Sequence, residues 1–534
     1  MKRRDILKSL SLLPLSGNLL GNTGKTSVLA TNAGDQNIFR SLGVEPIINC
    51  RGTFTIIGGS IERSSVRAAM EAASSSFVQY DELSDGIGKR LAELTGAPWG
   101  MVSAGCAAGL KHITAACVTG GNPEKLVRIP DLNGLEKTEV IIPASSRNVY
   151  DHAIRNIGVK IITVADMTEL EHAISATTAM IYLHSGGKDQ FVLEDIAKLV
   201  KSRNIPILVD AAAENLTVPN IHLQRGATVV AYSGGKALCG PQCAGLLLGD
   251  KSILMSAWQA SSPHHGPGRD NKVGREEMIG MLAAVEAWVT MDHEAQWKKW
   301  LAMLETISKK LTKIDGVKAN VHEPKELSNH SPFLVVSWDP DKLHITGAEL
   351  AEILGRTKPR IAAGSGGKNR MEPGVLTSID ITTGQMQAGE DLVVAERIYA
   401  LLSEKRPARQ SVTAAPAGNI GGRWDVLVEF FSSTSKHSFY FEQDGNWIQG
   451  THQSDFSVQD LTGTIEGTQI KIKSIARKPG DNITYLFSGN LDGDTIKGSI
   501  YLGEYRTANF TATRNKTKGL RESINIPGGP PLAT

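Results

Sequence analysis

The sequence predicts an α/β protein with a mostly parallel sheet, a smaller α/β unit after it, and an all-β barrel or sandwich towards the C-terminus. Three observations carry this. From Met101 to Tyr232, short β-rich runs alternate with helical stretches, the pattern of a parallel sheet covered on both faces. From Arg275 to Ile314 the apolar period becomes helical. Beyond residue 420, short alternating runs are separated by Asp-Gly and Glu-Gly pairs, which is hairpin-turn chemistry.

Taken in order, Lys2-Arg3-Arg4-Asp5-Ile6-Leu7-Lys8 is a twin-arginine motif, and Val28-Leu29-Ala30 offers the small residues a signal peptidase reads. Residues 1–30 are expected to be a twin-arginine signal peptide, with a periplasmic or extracellular destination. The apolar stretch Ser9 to Leu20 is too short and too interrupted to span a bilayer. No cysteine lies near the cleavage region, so no lipid anchor is expected. A large domain with a lead-in is expected over 38–290. Its helices run from Ser64 to Ser74 and from Asp85 to Gly96. Its strands follow at Met101 to Ser103, Glu139 to Ile142, Val159 to Val164, Ala179 to Leu183, Ile205 to Val209 and Thr228 to Tyr232, with helices at Leu170 to Ser175 and Val192 to Arg203.

A small α/β domain is expected over 291–404. The stripes Met278, Leu282, Val285, Val289 and Trp297, Trp300, Leu304, Ile307, Leu311 read as core packing. Residues 405–420, with Pro407 and Pro416, read as a linker. Seven or eight short strands are expected over 421–516, punctuated by Asp444-Gly445, Glu466-Gly467 and Asp492-Gly493. Trp424 and Trp447 read there as core residues rather than a binding platform. The proline-rich stretch 517–534 reads as a disordered tail.

Composition narrows the function class. Of 534 residues, 41% are apolar and 21% charged, the balance of a soluble globular protein. A net charge of +2 gives no reason to expect a nucleic-acid partner, and none is expected. The five cysteines (Cys50, Cys106, Cys117, Cys239, Cys243) show no zinc-like spacing, and no metal is expected.

The chemistry concentrates in three places. Tyr232-Ser233-Gly234-Gly235-Lys236 puts a lone lysine in a glycine turn just after an apolar strand. Pyridoxal-phosphate enzymes hold their Schiff-base lysine in such turns, and Ser233 is placed to reach a phosphate. Asp210 ends the strand Ile205 to Val209, where a carboxylate can meet a pyridine nitrogen. Ala212 leaves room there for the flat face of a ring. Ser103-Ala104-Gly105-Cys106-Ala107-Ala108-Gly109 follows a strand and opens a helix, an anion site made of backbone N–H groups plus Ser103. It lacks the P-loop lysine and the dinucleotide spacing.

Together with Ile87-Gly88-Lys89-Arg90-Leu91-Ala92-Glu93-Leu94-Thr95-Gly96, Tyr150-Asp151-His152-Ala153, Gly240-Pro241-Gln242 and Pro263-His264-His265-Gly266-Pro267-Gly268-Arg269, these stretches make residues 42–402 resemble one family. It is the selenocysteine-synthase-like branch of fold-type-I pyridoxal-phosphate enzymes, which includes seryl-tRNA selenium transferases and D-glucosaminate-6-phosphate ammonia-lyases. The resemblance implies an aminotransferase-like fold, pyridoxal 5'-phosphate on Lys236, Asp210 on its pyridine nitrogen, and the Ser103, Gly105, Cys106, Ala107 turn on its phosphate. It further implies Tyr150 or His152 over the ring's open face, and His264, His265 and Arg269 in a loop bordering the site. Arg360 is a candidate clamp for a substrate carboxylate, with a surface ion pair as the alternative. A homodimer or higher homo-oligomer is implied as well.

The leading expectation is α,β-elimination on an amino acid or amino sugar acid. Lys236 removes the α-proton, and His264 or His265 assists the leaving group. Racemisation or transamination would use the same apparatus. Selenium transfer to seryl-tRNA, the second expectation, fits poorly, since an exported protein would not meet charged tRNA and nothing before residue 38 reads as an RNA-binding domain. An inactive secreted binding protein is the remaining class, and the retained lysine, aspartate and phosphate turn argue against it.

Overall fold

The computed structural model describes residues 37–185, 191–367, 375–408 and 414–516. The signal-peptide and tail expectations, 1–30 and 517–534, lie outside the described residues. In the large sheet the strand order is Trp99–Ser103, Gly245–Gly249, Val229–Ser233, Ile207–Asp210, Thr178–His184, Glu139–Pro143, Lys160–Val164. All run parallel except Gly245–Gly249, which pairs antiparallel with both neighbours. That strand, Gly-Leu-Leu-Leu-Gly, escaped the sequence reading because it shows neither alternation nor a β-branched residue.

Helices cover both faces because the strands are apolar on both; Ile207, Leu208, Val209 and Asp210 are all buried. At the centre lies the helix Cys106–Thr119, with twelve of its fourteen residues buried. A helix buried all round must be small or apolar on every face, as this one is apart from Lys111 and His112. Ser64–Ser74 forms the helix expected, and Tyr80–Thr95 starts one turn earlier than expected, with Gln79 accepting from the Glu82 N–H.

The small domain holds a second sheet, ordered Ile47–Cys50, Arg360–Gly367, Thr377–Thr382, Phe333–Trp338, Lys318–His322. Ile47–Cys50 belongs to the expected lead-in of the large domain, yet it pairs in parallel with Arg360–Gly367. The strand Ile47–Cys50 therefore lies on the small domain, and the chain crosses the large one before returning to it. Leu304, Ile307 and Leu311 of the helix His293–Leu311 join Trp338, Ile361, Ile379 and Ile398 in one core.

The C-terminal unit is a closed antiparallel barrel of eight strands, each paired with the next, and Gly422–Glu429 closes onto Thr507–Arg514. This settles barrel against sandwich. Gly445, Gly467 and Gly493 take positive φ at the hairpins, as their dipeptides demand. Alternation fills the interior with Trp424, Phe439, Phe441, Phe487 and Phe510. Trp447, read as core, is instead 66% exposed, since it faces outward at the start of its strand.

Candidate active site

Parallel strands leave their carboxyl ends on one edge of the sheet, where α/β folds bind ligands. Asp210 ends one strand there and pairs with Ala231 of the next, two residues before Ser233. Ser103 and Ser233 both face Gly245 across the antiparallel strand, so they stand two strand spacings apart, about 9.5 Å. The three sequence-predicted pieces are thus gathered at one edge.

Asp210 is buried and held from three sides. Tyr182 donates its hydroxyl to Oδ2 at 2.8 Å, the Ala212 N–H donates to Oδ1 at 3.1 Å, and the Cys106 thiol points at Oδ1 from 3.6 Å. Asn148 Nδ2 in turn donates to the Tyr182 hydroxyl at 3.2 Å. Burial, with the charge of Asp210 beside it, pushes the Tyr182 hydroxyl far above its usual range, so it remains a donor. The Cys106 thiol is pushed up by burial and by Asp210, while the charge of Lys236 pulls it the other way.

At the anion turn, Gly105 has φ +87 and ψ 162, a conformation open only to glycine. Among the described residues no backbone carbonyl accepts from the first N–H groups of the helix, Cys106, Ala107 and Ala108. The Ser103 hydroxyl donates to the Gly105 carbonyl at 2.8 Å and leaves those donors free.

Above this edge opens a cavity of about 1750 Å³, walled by Lys236, Ala237 and Cys239, by Tyr150, by residues 50–56 and 61–64, and by the small domain's Gly364, Asp380 and Thr382. Lys236 Nζ lies 6.0 Å from the centre of the Tyr150 ring and makes no ion pair among the described residues. Asp210 and Ser103 are not on the wall; they are buried at the sheet edge behind it. The segment after the first strand is strapped to the lysine turn, with Ser60 N–H donating to Gly235 O at 3.0 Å and Arg63 N–H to Cys239 O at 3.2 Å.

The strap brings in a residue that the sequence reading missed. Arg63 lines the cavity, its Nε is buried without a hydrogen-bond partner, and among the described residues it forms no ion pair. A half-buried guanidinium with no counter-ion is a ready partner for a carboxylate or phosphate. Nothing in Ser60-Ile61-Glu62-Arg63 signals this, because only the fold carries that strap across to Lys236. Trp297 and Trp300, read as core, also stand on the cavity wall, and only the lower half of their stripe is buried.

Other expected site residues lie elsewhere. His152 is exposed on the short helix Asp151–Arg155 and does not line the cavity, whereas its neighbour Tyr150 does. His264 lies between the Trp258 carbonyl at 3.1 Å and Asp81 at 3.0 Å, so both its nitrogens are occupied. His265 and Arg269 are exposed on the same loop, Arg269 donating to Ser262 Oγ at 3.2 Å. Arg360 donates to the Gly355 and Glu45 carbonyls, at 2.7 and 3.2 Å, and so ties the first strand to the small domain rather than facing the cavity.

The solved structure of a D-glucosaminate-6-phosphate ammonia-lyase superimposes with a TM-score of 0.61 at 26% identity, covering 69% of this chain and 98% of that one. This likeness supports the expected selenocysteine-synthase-like, fold-type-I architecture. The D-glucosaminate-6-phosphate ammonia lyase of Salmonella typhimurium is 29% identical over 299 residues, 54% of this chain and 78% of the relative. A 5'-C-glycyluridine monooxygenase-decarboxylase from a Streptomyces species is 28% identical over 334 residues, 59% of this chain and 80% of the relative. No protein-family model matches the chain. Enzymes of this fold typically depend on pyridoxal phosphate. The residues present suit that group: an amine free of ion pairs, a buried carboxylate oriented by donors, and open N–H groups at a helix start.

Proposed function

We propose that this enzyme binds pyridoxal 5'-phosphate at Lys236 and acts as a lyase on an amino acid or amino sugar acid, removing a β-substituent and releasing ammonia. The observation that carries this is the Lys236 amine, without an ion pair among the described residues and on the cavity wall with Tyr150, at the edge where Asp210 is held by Tyr182 and Ala212. The ammonia-lyase name carried by a curated relative and by a solved structure supports the reaction class.

Asp210 would hold the pyridine nitrogen, the N–H groups of Cys106 and Ala107 with the hydroxyls of Ser103 and Ser233 the phosphate, and Lys236 the aldehyde carbon. When bound, the cofactor supplies an electron sink for negative charge at the substrate's carbon α. Lys236 Nζ is the base that takes the proton from that carbon. The Tyr150 hydroxyl, on the cavity wall near Lys236, would protonate a leaving group at carbon β, a role the motifs had suggested for His264 or His265. Arg63 fixes the substrate carboxylate, and the apolar walls of Trp297 and Trp300 exclude water around it.

The twin-arginine motif supports export to the periplasm or beyond, and a homo-oligomer follows the habit of the fold. Cell fractionation and light scattering test these two readings. The activity is tested by offering D- and L-amino acids and sugar amino acids and measuring ammonia and keto-acid release. Release from none of them, by protein that carries the cofactor, contradicts the lyase reading.

A further inference from the structure

The ammonia-lyase structure is covered to 98% by 69% of this chain, leaving 31% of this chain without a counterpart there. The barrel adds eight strands whose interior is packed with aromatic side chains, so its core is not a ligand cage. Its loops, however, touch the candidate site. Arg147 Nη2 donates to the Pro479 carbonyl of the barrel at 3.2 Å, while Nε of the same guanidinium pairs with the fully buried Asp151 at 2.5 Å and Nη1 donates to Thr163 Oγ1 at 2.6 Å. The next barrel residue, Gly480, has φ +82. A Cβ there would stand 2.9 Å from Asn148 O and 2.9 Å from Asp151 Oδ2. The turn thus lies flat on residues 148–151.

Those residues lead directly inward. Asn148 Oδ1 accepts the Tyr150 N–H at 2.8 Å, and Asn148 Nδ2 donates to the Tyr182 hydroxyl, which donates to Asp210. A second barrel loop, Gly503–Tyr505, flanks a small cavity of about 310 Å³ against Val149, and its Glu504 stands on the wall of the main cavity with Lys236 and Tyr150.

We propose that the barrel is a working part of the active site. Its Pro479-Gly480 turn positions Asn148 and Tyr150, and through Tyr182 orients Asp210, while Glu504 completes the cavity wall. The proposal rests on the reading of Asp210 and Lys236 as the reacting centre. Its mechanical part does not, and can be measured separately.

The test uses the full chain carrying Gly480→Ala. Gly445→Ala serves as the control: it imposes similar backbone strain at a barrel hairpin with φ +55, where a Cβ meets nothing within 4 Å. Amide hydrogen exchange of residues 147–155 is expected to quicken about tenfold in Gly480→Ala, with Gly445→Ala like wild type. In cofactor-loaded protein, Gly480→Ala is expected to lower kcat about tenfold with KM little changed, and Glu504→Ala to raise KM. Should Gly480→Ala unfold the barrel, Arg147→Lys keeps a charge beside Asp151 while losing the Pro479 and Thr163 bonds, and the same exchange is expected to quicken in it but not in Thr163→Val, which loses the Thr163 bond alone. Equal exchange at 147–155 in the Gly480 and Gly445 variants, or in Arg147→Lys and wild type, overturns the proposal. A wild-type chain that takes up no cofactor overturns the reading of the reacting centre instead, and the exchange comparison still decides whether the barrel holds this segment.

Discussion

Tyr182 donates its hydroxyl to Asp210 across neighbouring parallel strands, at a point where both side chains are buried. A hydrogen bond to a charged group is worth about 1.5–3 kcal/mol, and removing it leaves a buried carboxylate oxygen short of a donor. Tyr182→Phe is therefore expected to lower kcat/KM by about tenfold to a hundredfold. Because the Tyr182 hydroxyl is pushed so far up, its removal should leave the alkaline side of the pH profile unmoved. Steady-state kinetics across pH check both statements.

Arg63→Gln keeps a hydrogen-bonding side chain and removes the cation. If Arg63 holds the substrate carboxylate, KM is expected to rise about tenfold or more while the visible absorbance of bound cofactor stays as in wild type. Titration with substrate, read by that absorbance, separates lost substrate binding from lost cofactor.

Much of this site was legible in the sequence because strand ends announce themselves. Asp210 and Ser103 each close an apolar run, and Lys236 follows one within a glycine turn, so the shared edge of a parallel sheet brings all three together. Arg63, Tyr182 and Glu504 were not legible. Arg63 reaches the lysine turn through backbone bonds spanning more than 170 positions, and Tyr182 looks like any core residue of an apolar strand. Glu504 comes from another domain. His264 was misleading for the converse reason: a histidine in a Gly/Pro-rich loop suggests chemistry, but Trp258 and Asp81 already occupy it. The start of the small domain was hidden because strand pairing between Ile47 and Arg360 leaves no local pattern.

His112 offers a test of stability. It is fully buried on the central helix, both its nitrogens lack partners among the described residues, and burial, helped by the charge of Lys111, brings its pKa down to about 3. The unfolded chain takes a proton on this residue below about pH 6.5, whereas the folded chain resists until about pH 3. Its contribution is complete above the upper value and is lost as the pH falls through that window. His112→Leu gives up no hydrogen bond, so it is expected to flatten the acid dependence of Tm and to leave Tm at pH 8 unchanged or higher. Thermal unfolding from pH 4 to pH 8 checks this.

The most direct measurement concerns the Lys236 amine itself. Purified protein incubated with pyridoxal 5'-phosphate is treated with borohydride, digested, and mapped by mass spectrometry. The expected result is a yellow protein whose reduced adduct sits on Lys236, with no colour and no adduct in Lys236→Ala. A colourless wild-type protein, or an adduct spread over surface lysines and unchanged by the substitution, contradicts the account.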